Sequence, residues 1–175
     1  MSTYEHKKQA PKQVGCKIIT VSDTRTKETD KSGQLIIELL QKAGHKVIDY
    51  VIVEDEQSAI KSAVLNGCHH DTIDVILTNG GTGIAKRDVT IETVQPLFEK
   101  EIVGFGELFR MLSYTEDIGS AAILSRAVAG VIKNKAVFSM PGSSGAVRLA
   151  VNKLIIPELG HVVRELRKDL SNERL

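Results

Sequence analysis

The 175-residue sequence is poor in the residue types that mark several classes of protein. It contains no tryptophan, its aromatic fraction is 4%, and its formal net charge at neutral pH is +1. A nucleic-acid-binding surface needs clustered lysine and arginine, which this sequence lacks, so we expect no nucleic-acid partner. No apolar stretch approaches the roughly 20 residues of a membrane-spanning helix, so we expect no membrane contact.

Cysteine is equally scarce, because the chain has only Cys16 and Cys68. Two cysteines make no disulfide framework, which is typical of a protein from a reducing compartment. The opening segment MSTYEHKKQAPKQ lacks the apolar core of a secretion signal, so we expect a cytoplasmic protein. We interpret residues 1–13 as a disordered N-terminal tail, residues 14–170 as one domain and residues 171–175 as a C-terminal tail.

The sequence does contain a regular alternation of strand and helix patterns. Short runs rich in β-branched residues predict strands at 16–22, 46–53 and 74–78, and a strand hairpin at 129–140. Apolar residues at helical spacing predict helices between and after these runs, the first of which should stop at Gly44. The pattern therefore predicts a single-domain α/β fold: a three-layer α/β/α arrangement with a mainly parallel central sheet and an antiparallel hairpin.

Four loops leave the carboxyl ends of the predicted parallel strands, where ligands bind in open sheets of this kind. These loops cover residues 22–32, 54–57, 79–88 and 141–144. The third contains NGGTG, whose glycines permit positive φ and let backbone N–H groups converge on an anion. It is neither the phosphate loop of NTPases nor a GxGxxG motif. An anion site is one interpretation, and a glycine-rich connection into a helix is the other.

Two aspartates lie in these loops. Asp55 follows the second predicted strand, and Asp88 precedes the helix that begins in RDVTIETV. Each is suited to cap the following helix, although Thr90 is an equally good cap that would leave Asp88 facing the cleft. Alternatively, two carboxylates beside a phosphate-type loop suit Mg²⁺ that carries nucleotide phosphates. Lys86 and Arg87 would then offset phosphate charge, or else remain solvated.

The fourth loop offers a second anion site. The last predicted strand ends at Pro141 and Gly142, and either Ser143 or Ser144 is placed to cap the next helix. A capped helix start with free N–H groups binds anions readily, although a well-made turn explains the same residues. Two anion-type loops at one edge suggest a ligand with more than one phosphate, or two ligands.

The first loop, SDTRTKETDKSG, is long for a strand–helix connection. Long ordered loops are often lids or binding segments. Asp30 or Ser32 is expected to cap the helix that follows, and Asp23 and Arg25 are candidates for contact with a ligand. The sequence therefore places candidate binding residues in each of the four loops.

Six motifs in order give the chain a family resemblance. They are SDTRTKETDKSG, VEDE, LTNGGTGIAKRDVT, GFGELFRMLS, ILSRAVAG and SMPGSSGAVRLA. With these motifs, from about Cys16 to the last helix, the chain resembles the MoaB/Mog family of molybdenum cofactor biosynthesis, the molybdopterin-binding domain shared with gephyrin-like proteins. GFGELFRMLS and SRAVAG resemble the MoaB branch of that family.

The resemblance implies a molybdopterin pocket at this sheet edge and MgATP-dependent adenylylation of molybdopterin before molybdate insertion. Molybdopterin and ATP would be the substrates and Mg²⁺ the cofactor. Asp55 and Asp88 match the two aspartates essential in adenylylating relatives, which implies that they are catalytic and bind the metal. The residues expected to bind substrate are Ser22, Asp23, Asn79, Gly80, Gly81, Thr82, Gly83, Lys86, Pro141, Gly142 and Ser143.

Two further expectations follow from the resemblance. Some members of the MoaB branch keep the fold but lack adenylylation, so a non-catalytic molybdopterin carrier is the alternative function. The family implies a homo-oligomer, either a trimer or a hexamer of paired trimers, and allows other cofactor-biosynthesis proteins as partners. The stretch 120–132, whose only charged residue is Arg126, is compatible with a buried interface, and a core hairpin explains it equally well.

Overall fold

A six-stranded mixed sheet lies between helices in the computed structural model, which describes residues 2–170. The strands are β1 (Gly15–Val21), β2 (Lys46–Val53), β3 (Val75–Asn79), β4 (Lys100–Glu101), β5 (Val128–Ile132) and β6 (Lys135–Met140). The α-helices within the described residues are α1 (Thr3–Lys8), α2 (Lys31–Lys42), α3 (Gln57–Cys68), α4 (Thr90–Val94), α5 (Val103–Glu116), α6 (Ser144–Leu149) and α7 (Ile156–Arg167).

The strand order in the sheet is β2-β1-β3-β6-β5-β4. Strands β2, β1, β3 and β6 are parallel, whereas β5 is antiparallel to β6 and β4 is antiparallel to β5. The mainly parallel sheet with an antiparallel hairpin is therefore confirmed. The hairpin turn places Lys133 and Asn134 at φ of 47° and 63°. The sequence did not predict β4, because a two-residue strand has no period that a pattern can reveal.

Both faces of the sheet bury an apolar cluster, which confirms the α/β/α layers. Neighbouring residues alternate between the clusters: Ile18 and Leu77 pack on one side of the sheet, and Ile19 and Ile76 on the other. Helices α2, α5, α6 and α7 cover the first face, and α3 and α4 cover the second. Every residue of β1 and β3 is buried, which explains their nearly continuous apolar sequences.

Some of the predicted helix ends agree with the structure and others do not. Helix α2 ends at Lys42, and Gly44 follows with φ of 89°, as the predicted stop requires. The sequence pattern predicts two separate helices at the end of the chain, the second restarting at Pro157, but a π-helical segment at Ala150–Ile155 connects α6 to α7. Pro157 lies in the first turn of α7, where the missing N–H of proline is tolerated, so it does not separate the two helices.

The prediction that residues 1–13 form a disordered tail is wrong for the described part of that segment. Ser2 and Glu5 form a capping box at the start of α1: the Ser2 N–H donates to the Glu5 carboxylate at 2.7 Å, and the Glu5 N–H donates to Ser2 Oγ at 3.3 Å. The helix packs against α7, to which Lys7 is ion-paired through Glu158. The predicted tail at 171–175 lies outside the described residues.

Candidate functional site

The parallel strands end at one edge of the sheet and bring the four predicted loops together. The first loop contacts the second through the Asp55 N–H, which donates to Asp23 Oδ1 at 3.0 Å. It contacts the fourth through Arg25 Nη2, which donates to the Gly142 carbonyl at 3.2 Å. The third loop is bonded to the end of β6, because the Gly80 N–H donates to the last carbonyl of that strand at 3.1 Å. The candidate residues thus share one surface.

We call residues 80–84 the glycine segment. Its first two residues are glycines, which no other residue could replace without strain. Gly80 has φ of 94° and Gly81 has φ of 65°, a region that favours glycine. A Cβ on Gly80 would lie 2.3 Å from the Val21 carbonyl oxygen, and one on Gly81 would lie 2.3 Å from Thr90 Oγ1 and 2.9 Å from Asp55 Oδ1. The absent side chains therefore let the segment pack directly against Asp55 and α4.

The glycine segment also presents bare backbone donors. The N–H groups of Gly81, Thr82, Gly83 and Ile84 donate no hydrogen bond to any residue between 2 and 170. Consecutive free amides in a glycine-rich turn form the concave donor arrangement that binds anions. The Thr82 side chain itself is buried, so the backbone is what this residue offers to a ligand.

Asp55 does not cap the helix that follows it. Helix α3 begins at Gln57, and its N-cap position, Glu56, makes no side-chain capping bond. The capping role considered for Asp55 is therefore absent, and its carboxylate lies against the glycine segment instead. Burial raises the pKa of Asp55, and the negative charges of Asp23 and Asp88 raise it further. The two predicted acids are close enough to repel each other.

Asp88 does not cap α4 either. Its Oδ2 accepts a hydrogen bond from the Ala85 N–H at 3.1 Å and would lie 2.6 Å from a Cβ on Gly83. Thr90, the other candidate cap, donates its hydroxyl to the Gly80 carbonyl at 2.9 Å, and α4 has no side-chain cap. Both residues thus stabilise the loop between β3 and α4, and the sequence could not distinguish this from capping.

The two cations of this loop differ in their surroundings. Arg87 is ion-paired with Asp23 and, at 3.3 Å, with Glu56. Its hydrogen bond lowers the pKa of Asp23. Lys86 is exposed and has no ion-pair partner among residues 2–170. A cavity of about 450 Å³ at this edge is lined by Asp55, Glu56, Gln57, Lys86, Arg87 and Val89. Lys86 is therefore available to a ligand, whereas Arg87 is already neutralised.

Asn79 lies beneath the loops of the site. Its side chain is fully buried: Oδ1 accepts a hydrogen bond from Ser32 Oγ at 2.7 Å, and Nδ2 donates to Thr20 Oγ1 at 2.9 Å. The side chain therefore supports the loops from within, and the expected role of Asn79 in substrate binding stays a prediction. Asp30 is the cap of α2, accepting from the Gly33 N–H at 3.0 Å.

Asp30 also holds Arg25, the residue that joins the first loop to the fourth. Tyr50 Oη donates to Asp30 Oδ2 at 2.6 Å. Burial raises the pKa of Tyr50, and this hydrogen bond raises it further. Burial of Asp30 opposes its ionisation, but its hydrogen bonds outweigh that effect and lower its pKa. Arg25 pairs with Asp30 at 3.4 Å while bonding to Gly142. Ser22 organises the start of the loop, since its Oγ accepts from the Arg25 N–H at 3.1 Å.

The fourth loop has the predicted helix-start geometry. Ser143, of the two candidate serines, caps α6 by accepting from the Ala146 N–H at 3.2 Å. The N–H groups of Gly142 and Ser143 donate no bond within the described part of the chain. A Cβ on Gly142 would lie 3.2 Å from the Gly80 Cα, so the two glycine-containing loops touch. Pro141 leads directly from β6 into this turn.

Arg126 is a site residue that the sequence pattern did not single out. Its Nε donates to the Thr82 carbonyl at 2.9 Å, and its Nη2 donates to the Gly83 carbonyl at 2.7 Å. It also forms an ion pair with Glu92 of α4. The available signal is a lone charge in an otherwise uncharged stretch, and that stretch is equally compatible with an interface or a core hairpin.

A parallel sheet whose strand ends carry free glycine-segment amides beside two aspartates defines an α/β domain of the kind that binds phosphorylated ligands. Residues 17–161 match the family described as "Probable molybdopterin binding domain". The chain belongs to this molybdopterin-binding domain family, of the MoaB/Mog type.

Individual relatives agree with this assignment. The chain is 70% identical over 168 residues to molybdenum cofactor biosynthesis protein B of Bacillus cereus, covering 96% of this chain and 99% of that protein. It is 68% identical over 169 residues to the Bacillus subtilis protein of the same name, covering 97% and 99%. A crystal structure of a molybdenum cofactor biosynthesis protein B superposes with a TM-score of 0.89 at 69% identity, covering 91% and 99%. The tungsten cofactor synthesizing protein MoaB of Pyrococcus furiosus has a TM-score of 0.81 at 41% identity, covering 91% and 100%.

Two negative findings concern the described residues. Between residues 2 and 170, no helix is both long enough and apolar enough to cross a membrane. The same residues contain no group of three or more histidine, cysteine, aspartate or glutamate side chains arranged to hold a metal ion.

Proposed function

We propose that this protein binds molybdopterin at the carboxyl edge of its sheet and catalyses MgATP-dependent adenylylation of the molybdopterin phosphate. The observation that carries the proposal is the contact of the glycine segment, with its free amides, against the two acids Asp55 and Asp88. Amides suit the phosphate of the pterin, and the acids suit the metal of a nucleotide. Relatives with high identity over nearly the whole chain are named for molybdenum cofactor biosynthesis, which supports the same substrate.

The glycine segment and the fourth loop would hold the anionic parts of the substrates. Gly81, Thr82 and Gly83 offer N–H groups that are free within the described chain, and Gly142 and Ser143 offer two more in the adjoining loop. Lys86 lies beside the cavity that Asp55 lines and has no ion-pair partner among the described residues. These groups favour binding of a phosphate at the segment and of a second phosphate at the loop.

Asp55 and Asp88 fit a magnesium ion that arrives with nucleotide phosphates. Mg²⁺ is commonly bound through one or two carboxylates plus substrate phosphates and water, so a pair of acids suffices. Burial raises the pKa of Asp55 most, and the charges of Asp23 and Asp88 raise it further; a dication would relieve this repulsion between the carboxylates. When bound, Mg²⁺ supplies positive charge that neutralises the reacting phosphates.

The reaction needs alignment rather than covalent chemistry from the protein. An oxygen of the molybdopterin phosphate attacks the α-phosphorus of ATP, the bond to the β-phosphate oxygen breaks, and pyrophosphate leaves with the electron pair. The glycine segment would fix the attacking phosphate, and Lys86 would offset charge on the nucleotide. Holding two reactants in line and stabilising developing charge account for most of the rate in such transfers.

The test is an adenylylation assay on the purified chain with Mg²⁺, ATP and molybdopterin, comparing Asp88→Asn with Asp71→Asn. Asp71 is an exposed aspartate in the loop before β3, outside the four loops of the site, and is the matched control. We expect Asp88→Asn to lower turnover by about 100- to 1,000-fold, as the loss of one electrostatic group in a reacting site does. Wild-type turnover in Asp88→Asn with retained folding would remove its role. Tight molybdopterin binding without product in the wild type would select the carrier function instead.

We also propose a homo-oligomer, either a trimer or a hexamer, located in the cytoplasm. An exposed apolar surface supports the oligomer: Val103, Leu108 and Met111 of α5 and the neighbouring Ile123 and Leu124 are all about half exposed or more. The cysteines are free and buried, which suits a reducing compartment. Light scattering of the eluted protein gives the subunit number, and a monomer at micromolar concentration would contradict the proposal.

A further inference from the structure

Arg126 contacts the glycine segment, although it lies more than 40 residues later in the sequence. It precedes β5, which runs antiparallel to β6 and therefore begins at the edge where β6 ends, with Val128 opposite Ser139. From there its guanidinium donates to the carbonyls of Thr82 and Gly83 at 2.9 and 2.7 Å. It contacts two successive peptide groups of the segment, both through their oxygens.

These two bonds fix the direction of the segment's amides. No cis peptide occurs in the described residues, and in a trans peptide the N–H points opposite to the C=O. With both carbonyls held toward Arg126, the N–H groups of Gly83 and Ile84 point away from it and donate to no other described residue. We propose that Arg126 is a positioning residue, which holds the glycine segment in the one peptide orientation that presents its amides to an anionic ligand.

The anchor that holds Arg126 in place is Glu92, in the first turn of α4. Both terminal nitrogens of Arg126 bond to the Glu92 carboxylate, and this contact lowers the pKa of Glu92. The Arg126 side chain is 30% exposed, and its guanidinium uses Nε, Nη1 and Nη2 at once. A lysine ammonium keeps the charge but cannot span two carbonyls and a carboxylate in one plane. The geometry therefore requires arginine rather than positive charge alone.

The experiment compares Arg126→Gln, Arg126→Lys and Glu92→Gln with the control Arg110→Gln. Arg110 is also an arginine that donates to a backbone carbonyl, that of Ala127 at 3.4 Å, but it does not touch the glycine segment. The first readout is amide hydrogen exchange in the ligand-free protein. The informative positions are the bonded amides next to the segment, those of Ala85 and Thr90, whose N–H groups donate to Asp88 Oδ2 and to the Gly81 carbonyl.

The second readout is steady-state kinetics of adenylylation, and this arm alone rests on the proposed function. We expect about tenfold faster exchange at both amides in Arg126→Gln, and a smaller change in Glu92→Gln. We expect the KM for molybdopterin to rise with the KM for ATP unchanged, and kcat/KM for molybdopterin to fall by about 100-fold. Arg126→Lys should recover only a small part of this loss, and Arg110→Gln should match the wild type.

The outcomes separate the inference from the proposed function. Unchanged exchange in both Arg126→Gln and Glu92→Gln overturns the inference, whether or not the wild type is active. Faster exchange with wild-type kinetic constants also overturns it, because the orientation of the segment would then be irrelevant to the ligand. If the wild type neither binds molybdopterin nor turns over, the proposed function fails and exchange alone decides whether Arg126 holds the segment. Full recovery of the kinetic constants by Arg126→Lys would show that Arg126 acts through its positive charge alone.

Discussion

The variant Gly81→Ala tests whether the site requires a residue without a side chain at position 81. At φ of 65°, an alanine adopts a left-handed conformation that costs about 1–2 kcal/mol. Its Cβ would also lie 2.3 Å from Thr90 Oγ1 and 2.9 Å from Asp55 Oδ1. Overpacking of this kind costs about 1–3 kcal/mol more, so we expect the free energy of unfolding to fall by about 2–5 kcal/mol.

Two other glycines of the chain supply matched controls. Gly44 has φ of 89°, and no heavy atom lies within 4 Å of the position that a Cβ would take, so Gly44→Ala incurs the backbone cost without a clash. Gly104 is the second residue of α5, with ordinary φ and the same open space. Gly104→Ala should therefore not destabilise the protein and should stabilise it by at most about 0.5–1 kcal/mol, the difference in helix propensity in a helix interior.

The assay is equilibrium unfolding in denaturant at one protein concentration for the wild type and the three variants, with the stabilities compared at a fixed temperature. The conformational cost at Gly44 is at least that at Gly81, because its φ lies farther from the region that alanine can reach. The excess destabilisation of Gly81→Ala over Gly44→Ala is therefore a lower bound on the cost of the close approach. Equal losses in the two variants would refute the reasoning that the segment packs against Asp55 and Thr90.

Three further predictions concern titratable groups. Because the folded-state pKa of Asp55 is raised, mainly by burial, its charge destabilises the fold as pH rises from the ordinary value through that pKa, so Asp55→Asn should raise Tm at neutral pH in calorimetry. From the proposed function we expect Mg²⁺ to raise the Tm of the wild type and not that of Asp55→Asn. Burial raises the pKa of Cys16 to about 12 and that of Cys68 to about 11, so a thiol reagent at pH 8 should label neither in native protein and both after unfolding. Tyr50→Phe leaves buried Asp30 short of one donor and should lower the unfolding free energy by about 1–3 kcal/mol in a denaturant titration, whereas no loss would contradict the bond.

The strands of the sheet other than β4 could be predicted from the sequence because each is marked by its own run of apolar residues. Residues of β1 and β3 are buried on both faces, so their apolar runs identify them without knowledge of their neighbours. The edge at which Asp55 and Asp88 lie together then follows from the parallel topology. Helix α1 was also signalled locally, by serine at position 2 and glutamate at position 5, and was missed because the charged segment around it indicates no core.

The detailed roles within the site depend on contacts that no local pattern carries. Thr90 does not cap α4 because its hydroxyl donates a hydrogen bond to the Gly80 carbonyl, ten residues away. Asn79 is enclosed because Ser32 lies 47 positions earlier in the chain and beside it in space. Arg126 bonds to a segment more than 40 residues before it. Each of these assignments is decided by tertiary geometry rather than by residue type.

The charges around the cavity explain why glycine and acid occur together. Asp55 and Glu56 line the cavity together with the cations Lys86 and Arg87, and the nearby carboxylates of Asp23 and Asp88 add negative charge that acts on Asp55. Arg87 is already paired with Asp23 and Glu56. A phosphate approaching the acids alone would be repelled, whereas the free amides of the glycine segment attract it and, being uncharged, do not neutralise the acids. Under the proposed function, the excess of negative charge would remain for a dication carried in with the nucleotide. Binding of the pterin phosphate at the amides and of the nucleotide at the acids would then place two mutually repelling anions next to each other, which is the arrangement that the proposed transfer requires.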